Sequence, residues 1–461
     1  MTAMTAADIA RRANGAVDGD ANVIADSWEF DSRVLRAGAC FVALRGSRDG
    51  HDFVTSAFEA GAGVALVERR VTVPPGCAAV RVPDTLHALQ EVARSIRTER
   101  SELDVVGVSG STGKTSTKDL LAAVLAPLGC HANAESFNNE FGLPVTICNA
   151  PAAARVLIAE MGERFPGDLR LLCEIARPRV GVVTNVGLAH AEHLGGEQGV
   201  VDVLAELLEA LPSDGVAVLN ADDPRTPELA ARTPASVVTV GEASHATFTF
   251  DDIAVDEHLR PSFSLRGHRF TVPLHGHHHV RNAAIAVAVA HHVYDLSFED
   301  IALELANTPS GKWRMELVET ADGIVALNDS YNANPTSMEA ALIALAHLPT
   351  RGRRIAVLGD MRELGAGSDD AHRIVGERVA ALGIDYVIGV GAGGELIARA
   401  ARQAGSESEV VANAAAAYRA LEQIVAPGDA VLCKASRALG LETVIESLLA
   451  ARRQARAGGA A

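Results

Sequence analysis

Residues Ser109–Thr117 read Ser-Gly-Ser-Thr-Gly-Lys-Thr-Ser-Thr, between the apolar run Val105–Val108 and the helical pattern Lys118–Ala126. A strand, a glycine-bearing loop and a helix start, in that order, can cradle a phosphate chain. Successive backbone N–H groups turn inward there, and the helix N-terminus adds partial positive charge. Lys114 is placed to lie against β- and γ-phosphates and the Thr115 hydroxyl to complete a Mg²⁺ shell. Gly110, Ser111, Thr112, Gly113 and Ser116 supply the rest of the cradle. The loop departs from the G-x-x-x-x-G-K-[ST] pattern at Val108, where that pattern has its first glycine. A Gly/Ser-rich turn that happens to hold a lysine is the competing reading. Only four of the 41 basic residues are lysines, at 114, 118, 312 and 434. A chain that otherwise uses arginine has kept lysine in the loop, where a compact ammonium fits and a planar fork does not. Lys434 stands out for the same reason.

Further candidates sit just beyond apolar runs. Glu160 ends Arg155–Ala159 and precedes Met161-Gly162, the position of an acid that holds Mg²⁺ beside a phosphate loop. A solvated strand-end glutamate would look the same. His190, in Thr184–His190, is either a metal ligand or a hydrogen-bonded loop histidine. The run His275-Gly276-His277-His278-His279 does not place three nitrogens on one face and has no cysteine near. It reads as a loop-to-helix junction against a nucleotide base rather than a zinc site. Asp329-Ser330-Tyr331-Asn332-Ala333-Asn334-Pro335, Gly359–Gly365 and Lys434-Ala435-Ser436-Arg437 each follow a strand candidate. The first is either a cluster of Asx turns or a ligand loop, and its density of hydrogen-bonding groups favours the ligand. Three polar strand ends in one sheet converge on one cleft.

The elements that must position these residues form three blocks, as 461 residues would suggest. Residues 1–98 hold short strand candidates Cys40–Leu44, Val64–Val67 and Ala79–Val82. Residues 99–312 alternate Val105–Val108, Val156–Ala159, Val180–Thr184 and Val216–Leu219 with helical spacing, which predicts a mostly parallel sheet buried on both faces. Residues 313–461 restart with Ile324–Leu327, Ile355–Leu358, Tyr386–Val390 and Ala430–Cys433 between helices such as Ser337–Ala346. That pattern predicts a doubly wound α/β domain with its site at the strands' carboxyl ends. The expected architecture is thus α/β throughout: a small N-terminal domain, a central P-loop ATPase-like domain and a C-terminal Rossmann-like domain. The net charge of −17 argues against non-specific nucleic-acid binding. Six scattered cysteines imply reduced thiols and a cytoplasmic protein. Met1–Ala13 carries charges and no apolar core, so a signal peptide is not expected. No run approaches the roughly 18 apolar residues of a membrane span. The tail Ala451–Ala461 is expected to fray.

Taken together the motifs resemble the Mur ligases, the ATP-dependent amide-forming enzymes of peptidoglycan assembly. The resemblance runs through Asp31-Ser32-Arg33, Gly38–Leu44 and Asp49-Gly50-His51. It continues through the phosphate loop, Asn138–Pro144, Glu160, Asn185–His190, His278 with Asn282, Arg314, Asp329–Pro335, Gly359–Gly365 and Lys434–Arg437. Asn328–Pro335 resembles the form of that loop in the member that adds a dipeptide. The resemblance implies ATP and Mg²⁺ as cofactors, and UDP-N-acetylmuramoyl-tripeptide and D-alanyl-D-alanine as substrates. The implied course is phosphorylation of a carboxylate to an acyl phosphate, then attack by the dipeptide amine, releasing phosphate. It implies Lys114, Glu160 and His190 as catalytic residues, with Thr115, Glu160 and His190 holding metal. His278 and Asn282 fall near adenine, and Arg314 and Asp329 reach the nucleotide from the C-terminal side. Substrate contacts are implied for Ser32 and Arg33 at the uridine diphosphate. Asn138, Asn139, Tyr331, Asn332, Asn334, Lys434, Ser436 and Arg437 are the other implied substrate contacts. A monomer with no nucleic-acid partner is expected.

The chain departs from the family twice. The family places a carbamylated lysine, an anionic ligand for a second Mg²⁺, where Leu204 stands, and no lysine lies between 118 and 312. Asp202 and Glu206 are the nearest acids, but each lies about 200° around a helix from position 204. Catalysis without carbamylation is the expectation. A ligase with another amine acceptor and a catalytically silent nucleotide-binding paralogue are the competing readings. Lys434-Ala435 also replaces the family's usual Lys-Gly, which is tolerable unless that backbone needs positive φ.

Overall fold

The computed structural model describes residues 3–134, 137–187, 191–309 and 311–458. It contains three successive α/β units, each built on its own sheet. The first unit's five strands run Ala16–Gly19, Ala78–Arg81, Val64–Val67, Ala39–Val42, Ser27–Glu29 across the sheet, parallel except for the first pair. Its last strand is short and hydrogen-bonds the side chain of Asn149 in the next unit. Trp28 N donates to Asn149 Oδ1 at 2.9 Å and Asn149 Nδ2 donates to Trp28 O at 2.9 Å. An amide side chain thus completes the edge strand and ties the first unit to the second. One apolar core runs across this junction, from Ile9 and Trp28 to Leu143, Leu157 and Leu204.

The central sheet has nine strands. Six run parallel in the order Cys130–Ala132, Val156–Glu160, Asp104–Ser109, Val180–Val183, Val216–Asn220, Ser236–Gly241, and Phe248–Val255 pairs parallel with the last of them. Val105, Val106, Val108, Ile158 and Val182 are fully buried, as valine-rich strands covered on both faces must be. The sequence reading missed the end of this sheet, where Phe248–Val255, Pro261–Leu265 and His268–Thr271 continue antiparallel. Those strands alternate apolar and polar residues, so they carry no continuous apolar run. Behind the sheet the helix His279–Tyr294 packs against the helix Lys114–Val124. Ala283 through Ala290 are completely buried, and the alanines among them permit the close approach.

The C-terminal sheet is Glu316–Glu319, Val325–Asn328, Ala430–Lys434, Arg354–Gly359, Tyr386–Val390, Glu407–Val411, parallel except for the first pair. The chain order reverses between Val325–Asn328 and Arg354–Gly359, across Ala430–Lys434, so the crevice expected for a doubly wound sheet opens there. Two expectations are corrected. The helix after the phosphate loop starts at Lys114, four residues earlier than its apolar pattern suggests, because the loop's own hydroxyl residues form its first turn. The final helix, Glu442–Gly458, continues through most of the tail expected to fray.

Candidate active site

Strand Asp104–Ser109 delivers the chain into Gly110, whose φ of +132° only glycine adopts readily. A Cβ at Gly110 would lie 2.2 Å from Thr184 Oγ1. The chain then turns through Gly113, at φ +81°, into the helix beginning at Lys114. This explains the departure at Val108, which is a buried core residue paired with Glu160 and Val182. The loop begins after the strand, and Gly110 supplies the first bend. Its shape is set from the neighbouring strand end. Asn185 Oδ1 accepts from Thr112 N at 2.9 Å, Thr184 Oγ1 donates to Thr112 O at 2.6 Å, and Gly187 N donates to Ser111 Oγ at 2.7 Å. Gly113 faces Asn282, whose Oδ1 would lie 2.7 Å from an added Cβ, so the alanine-rich helix closes the loop from behind.

Two buried carboxylates flank this loop. Glu160 ends its strand in register with Val108 and is 2% exposed. Its Oε1 accepts from Asn138 Nδ2 at 2.8 Å, while its Oε2 is buried without a partner among the described residues. A buried carboxylate oxygen left unpaired is costly unless something occupies it. Its place beside a helix N-terminus that carries Thr115, itself 8% exposed, fits a hard divalent cation. Asn138 therefore acts on Glu160 in this structure, and Asn139 Oδ1 accepts from Gly142 N at 3.0 Å to start the next helix. Substrate contact is the expectation for both, and these bonds are their intramolecular roles. Glu163, which the sequence reading passed over, is also 2% exposed. Its Oε1 is 3.1 Å from Lys114 Nζ and its Oε2 accepts from Ser109 Oγ at 2.9 Å.

Leu204 is fully buried in the core. Neither nearby acid substitutes for a ligand there. Asp202 pairs with Arg232 at 3.2 Å, and Glu206 accepts from Gly167 N at 2.8 Å and Arg170 N at 3.0 Å, capping the helix Asp168–Ala176. His190 lies outside the described residues.

The C-terminal unit meets the loop through its strand ends. Lys434 is 2% exposed and its ammonium reaches Asp329 Oδ2 at 2.5 Å and Asn332 O at 2.9 Å. Asp329 also accepts from Met315 N at 3.0 Å, and Tyr331 N donates to Trp313 O at 3.1 Å. Trp313 and Met315 both have positive φ, 58° and 51°, so the connection between central and C-terminal units is held bent by this network. The Arg314 guanidinium between them stacks 3.9 Å from the Tyr331 ring centre. Lys434 thus positions the loop rather than presenting a free ammonium to a ligand. Asn332 Oδ1 accepts from Ala333 N at 2.9 Å and Asn334 caps the helix Pro335–His347, so the Asx-turn reading describes those two side chains better than the ligand reading. Ser436 Oγ accepts from Arg362 N at 3.0 Å, and Arg437 pairs with Glu442 over the Trp313 ring. Asp360, Arg362, Glu363, His372 and Gly393 line an open cavity of about 560 Å³ beside these strand ends.

Burial holds the His278 ring neutral, pushing its pKa down to about 4. Lys434 pushes the same way and the Asp329 carboxylate opposes it. His279, its ring tilted against that of His278 with centres 4.1 Å apart, is likewise held well below the usual histidine value by burial and by His278. Both imidazoles are therefore uncharged at neutral pH. In the first unit Arg33 grips Asp31 at 2.9 Å, which pulls that carboxyl down to about 2, and its guanidinium is exposed. Phe30 beside it packs on Phe137 at 5.2 Å and Phe141 at 5.4 Å, so the Asp31–Arg33 turn is anchored against the central unit.

Residues 108–290 match the Mur ligase middle domain, and residues 313–437 match the family described as Mur ligase, glutamate ligase domain. The chain is 38% identical to UDP-N-acetylmuramoyl-tripeptide–D-alanyl-D-alanine ligase of Mycobacterium tuberculosis, covering 98% of each protein. The fold is similar to a crystal structure of MurF from Acinetobacter baumannii, with TM-score 0.85 and 27% identity over 97% of this chain and 99% of that one. It is also similar to MurF of Thermotoga maritima in complex with ADP, with TM-score 0.77 and 28% identity over 93% of this chain and 98% of that one. The chain belongs to the Mur ligase family.

Proposed function

We propose that this chain joins D-alanyl-D-alanine to UDP-N-acetylmuramoyl-tripeptide at the cost of ATP, a step of peptidoglycan precursor synthesis. The relatives that match it over nearly their whole length carry that activity in their names. The observation that carries the reading is Glu160, a buried carboxylate with one unpaired oxygen beside a phosphate loop. ATP and Mg²⁺ supply a phosphoryl group and positive charge, so that a carboxylate, a poor electrophile, becomes an acyl phosphate with a good leaving group. Lys114 and the N–H groups at the start of the helix Lys114–Val124 hold the phosphates in line and balance charge developing at the β–γ bridge. Thr115 and Glu160 hold the metal, Asn138 fixes the Glu160 rotamer, and His190 is the remaining proposed ligand. Neutral His278 and Asn282 flank the base, with Arg314 and Asp329 on the opposite side. Ser32 and Arg33 receive the uridine diphosphate on the first unit. The incoming amine then attacks the acyl carbon, loses its proton, and expels phosphate. We assign the dipeptide to the Asp360–His372 cavity, whose Arg362 is held by Ser436, with Arg437 and Tyr331 as further substrate contacts.

Among the described residues no helix is long and apolar enough to cross a membrane. The substrates and the unpaired thiols support a cytoplasmic enzyme, and the oligomeric state proposed for it is a monomer. ADP release by the purified protein tests the proposal, measured with ATP, Mg²⁺, UDP-N-acetylmuramoyl-tripeptide and D-alanyl-D-alanine, with and without bicarbonate. Turnover that needs both organic substrates and ignores bicarbonate is expected. ATP binding with no turnover would leave a silent paralogue, and turnover with another amine would move the acceptor.

A further inference from the structure

Glu163 has no role in the reading above, yet it is the second fully buried carboxylate at the phosphate loop. It sits three residues beyond Glu160 and one turn of chain from Asn138's contact with Gly162. Its two oxygens are served by Lys114 Nζ at 3.1 Å and Ser109 Oγ at 2.9 Å. Among the described residues Lys114 Nζ otherwise bonds only backwards, to the carbonyl of Gly110 in its own loop. Among the described residues the helix Glu197–Glu209 brings no acid to the site, because Glu197, Asp202, Glu206 and Glu209 are all paired elsewhere and Leu204 lies in the core.

The charges force an exchange. A polyphosphate in the cradle draws the Lys114 ammonium toward itself, since that is the strongest anion within reach. Glu163 is then a buried carboxylate with one hydroxyl donor, beside Glu160 and a polyanion. Three like charges in a water-poor site require a cation. We propose that Glu163 is a second carboxylate of the metal–nucleotide site: it holds Lys114 until phosphate displaces it, then takes a divalent cation in the ammonium's place. This rests on the nucleotide reading of the loop and extends it. Glu163 thereby couples the two ligands. It competes with phosphate for Lys114 when metal is absent and binds the metal when nucleotide is present, so each ligand strengthens the other reciprocally.

The test is ADP affinity by calorimetry, in EDTA and in saturating Mg²⁺, for wild type, Glu163→Gln and Glu163→Asp. Wild type is expected to bind ADP far more tightly with Mg²⁺. In Glu163→Gln metal-free ADP should bind roughly tenfold tighter and the Mg²⁺ enhancement should shrink by at least about tenfold, a loss in proportion to one charge-assisted contact. Glu163→Asp, which keeps the charge, should retain most of the enhancement. A second measurement rests first on the wild-type protein, where the count of ligating carboxylates does not depend on how a variant folds. With glutamate carboxylates labelled by ¹³C, electron–nuclear double resonance of bound Mn²⁺·ADP should show two ligating carboxylates, one of them absent in Glu163→Gln. A single carboxylate in wild type, or unchanged coupling in Glu163→Gln, would overturn the proposal and leave Glu163 as a brace for Lys114. If wild type bound no ADP under either condition, the nucleotide reading itself would fall with it.

Discussion

Replacing Lys114 with alanine separates two consequences of one ammonium. Glu163 is 2% exposed and Lys114 Nζ is its only cationic partner among the described residues, at 3.1 Å. Without the ammonium a buried carboxylate keeps one hydroxyl donor, Ser109 Oγ. Breaking a buried pair from one side costs about 3–5 kcal/mol. The Lys114 side chain is 14% exposed, so water reaches the truncated end and the lower figure, about 3 kcal/mol, applies. At about 2–4 °C per kcal/mol for a unit of this size, the central unit should melt roughly 6–12 °C lower. Turnover should fall independently by about 10²- to 10³-fold, the worth of one preorganised charge-stabilising group. The double variant Lys114→Ala, Glu163→Gln distinguishes the two. Neutralising the orphaned acid should restore most of the melting temperature, while kcat stays low. Calorimetric melting and ADP release measure both quantities on the same samples. A single variant that melts with wild type would refute the buried pair, and a kcat within a few-fold of wild type would refute the placement of Lys114 at the phosphates.

Wild-type turnover should change less than about twofold when bicarbonate is stripped or added, because Leu204 offers no amine to carbamylate and lies at 0% exposure; strict dependence would mean that a carbamate forms elsewhere. Gly113→Ala should weaken ADP binding by about tenfold or more, since φ of +81° strains any L-residue by about 1–2 kcal/mol and the new methyl meets Asn282 Oδ1 at 2.7 Å. Gly167→Ala, also at positive φ but with nothing within 4 Å, is the control and should leave ADP affinity unchanged. His278 binds its proton less readily folded, at about 4, than unfolded, near 6.5, so its neutral form contributes stability above pH 6.5 that is lost as pH falls toward 4. The full loss is about 3 kcal/mol, and thermal unfolding between pH 7 and 4.5 should show a shallower acid slope in His278→Asn.

What was legible in the sequence shares one property: it is written in consecutive residues. Ser109–Thr117 announces a phosphate loop because the glycines, lysine and hydroxyls that build it are neighbours. Val105–Val108 or Tyr386–Val390 announces a buried strand for the same reason. The strands from Phe248 to Thr271 were missed because their buried phenylalanines alternate with polar residues, and the signal is thin over so few positions. The density of amides in Asn328–Pro335 has a local account beside the ligand one. Asn332 and Asn334 lie within reach of the backbone N–H groups just ahead, and a short polar side chain satisfies those before any ligand. The residues that organise the cradle were hidden for the opposite reason. Glu163 meets Ser109 across 54 positions, Asn185 meets Thr112 across 73, and Lys434 meets Asp329 across 105. In each case the contact exists only because parallel strands bring their carboxyl ends to one edge. That edge could have been predicted, since the strand order of such sheets places sites there. The criterion that selected Glu160, an acid just beyond a buried strand, extends by three residues to Glu163. Applied to the whole strand-end loop rather than its first residue, it would have found the second carboxylate, and with it a reason why the neighbouring lysine could not be arginine: a guanidinium held by Glu163 in a planar fork would not readily release to a phosphate.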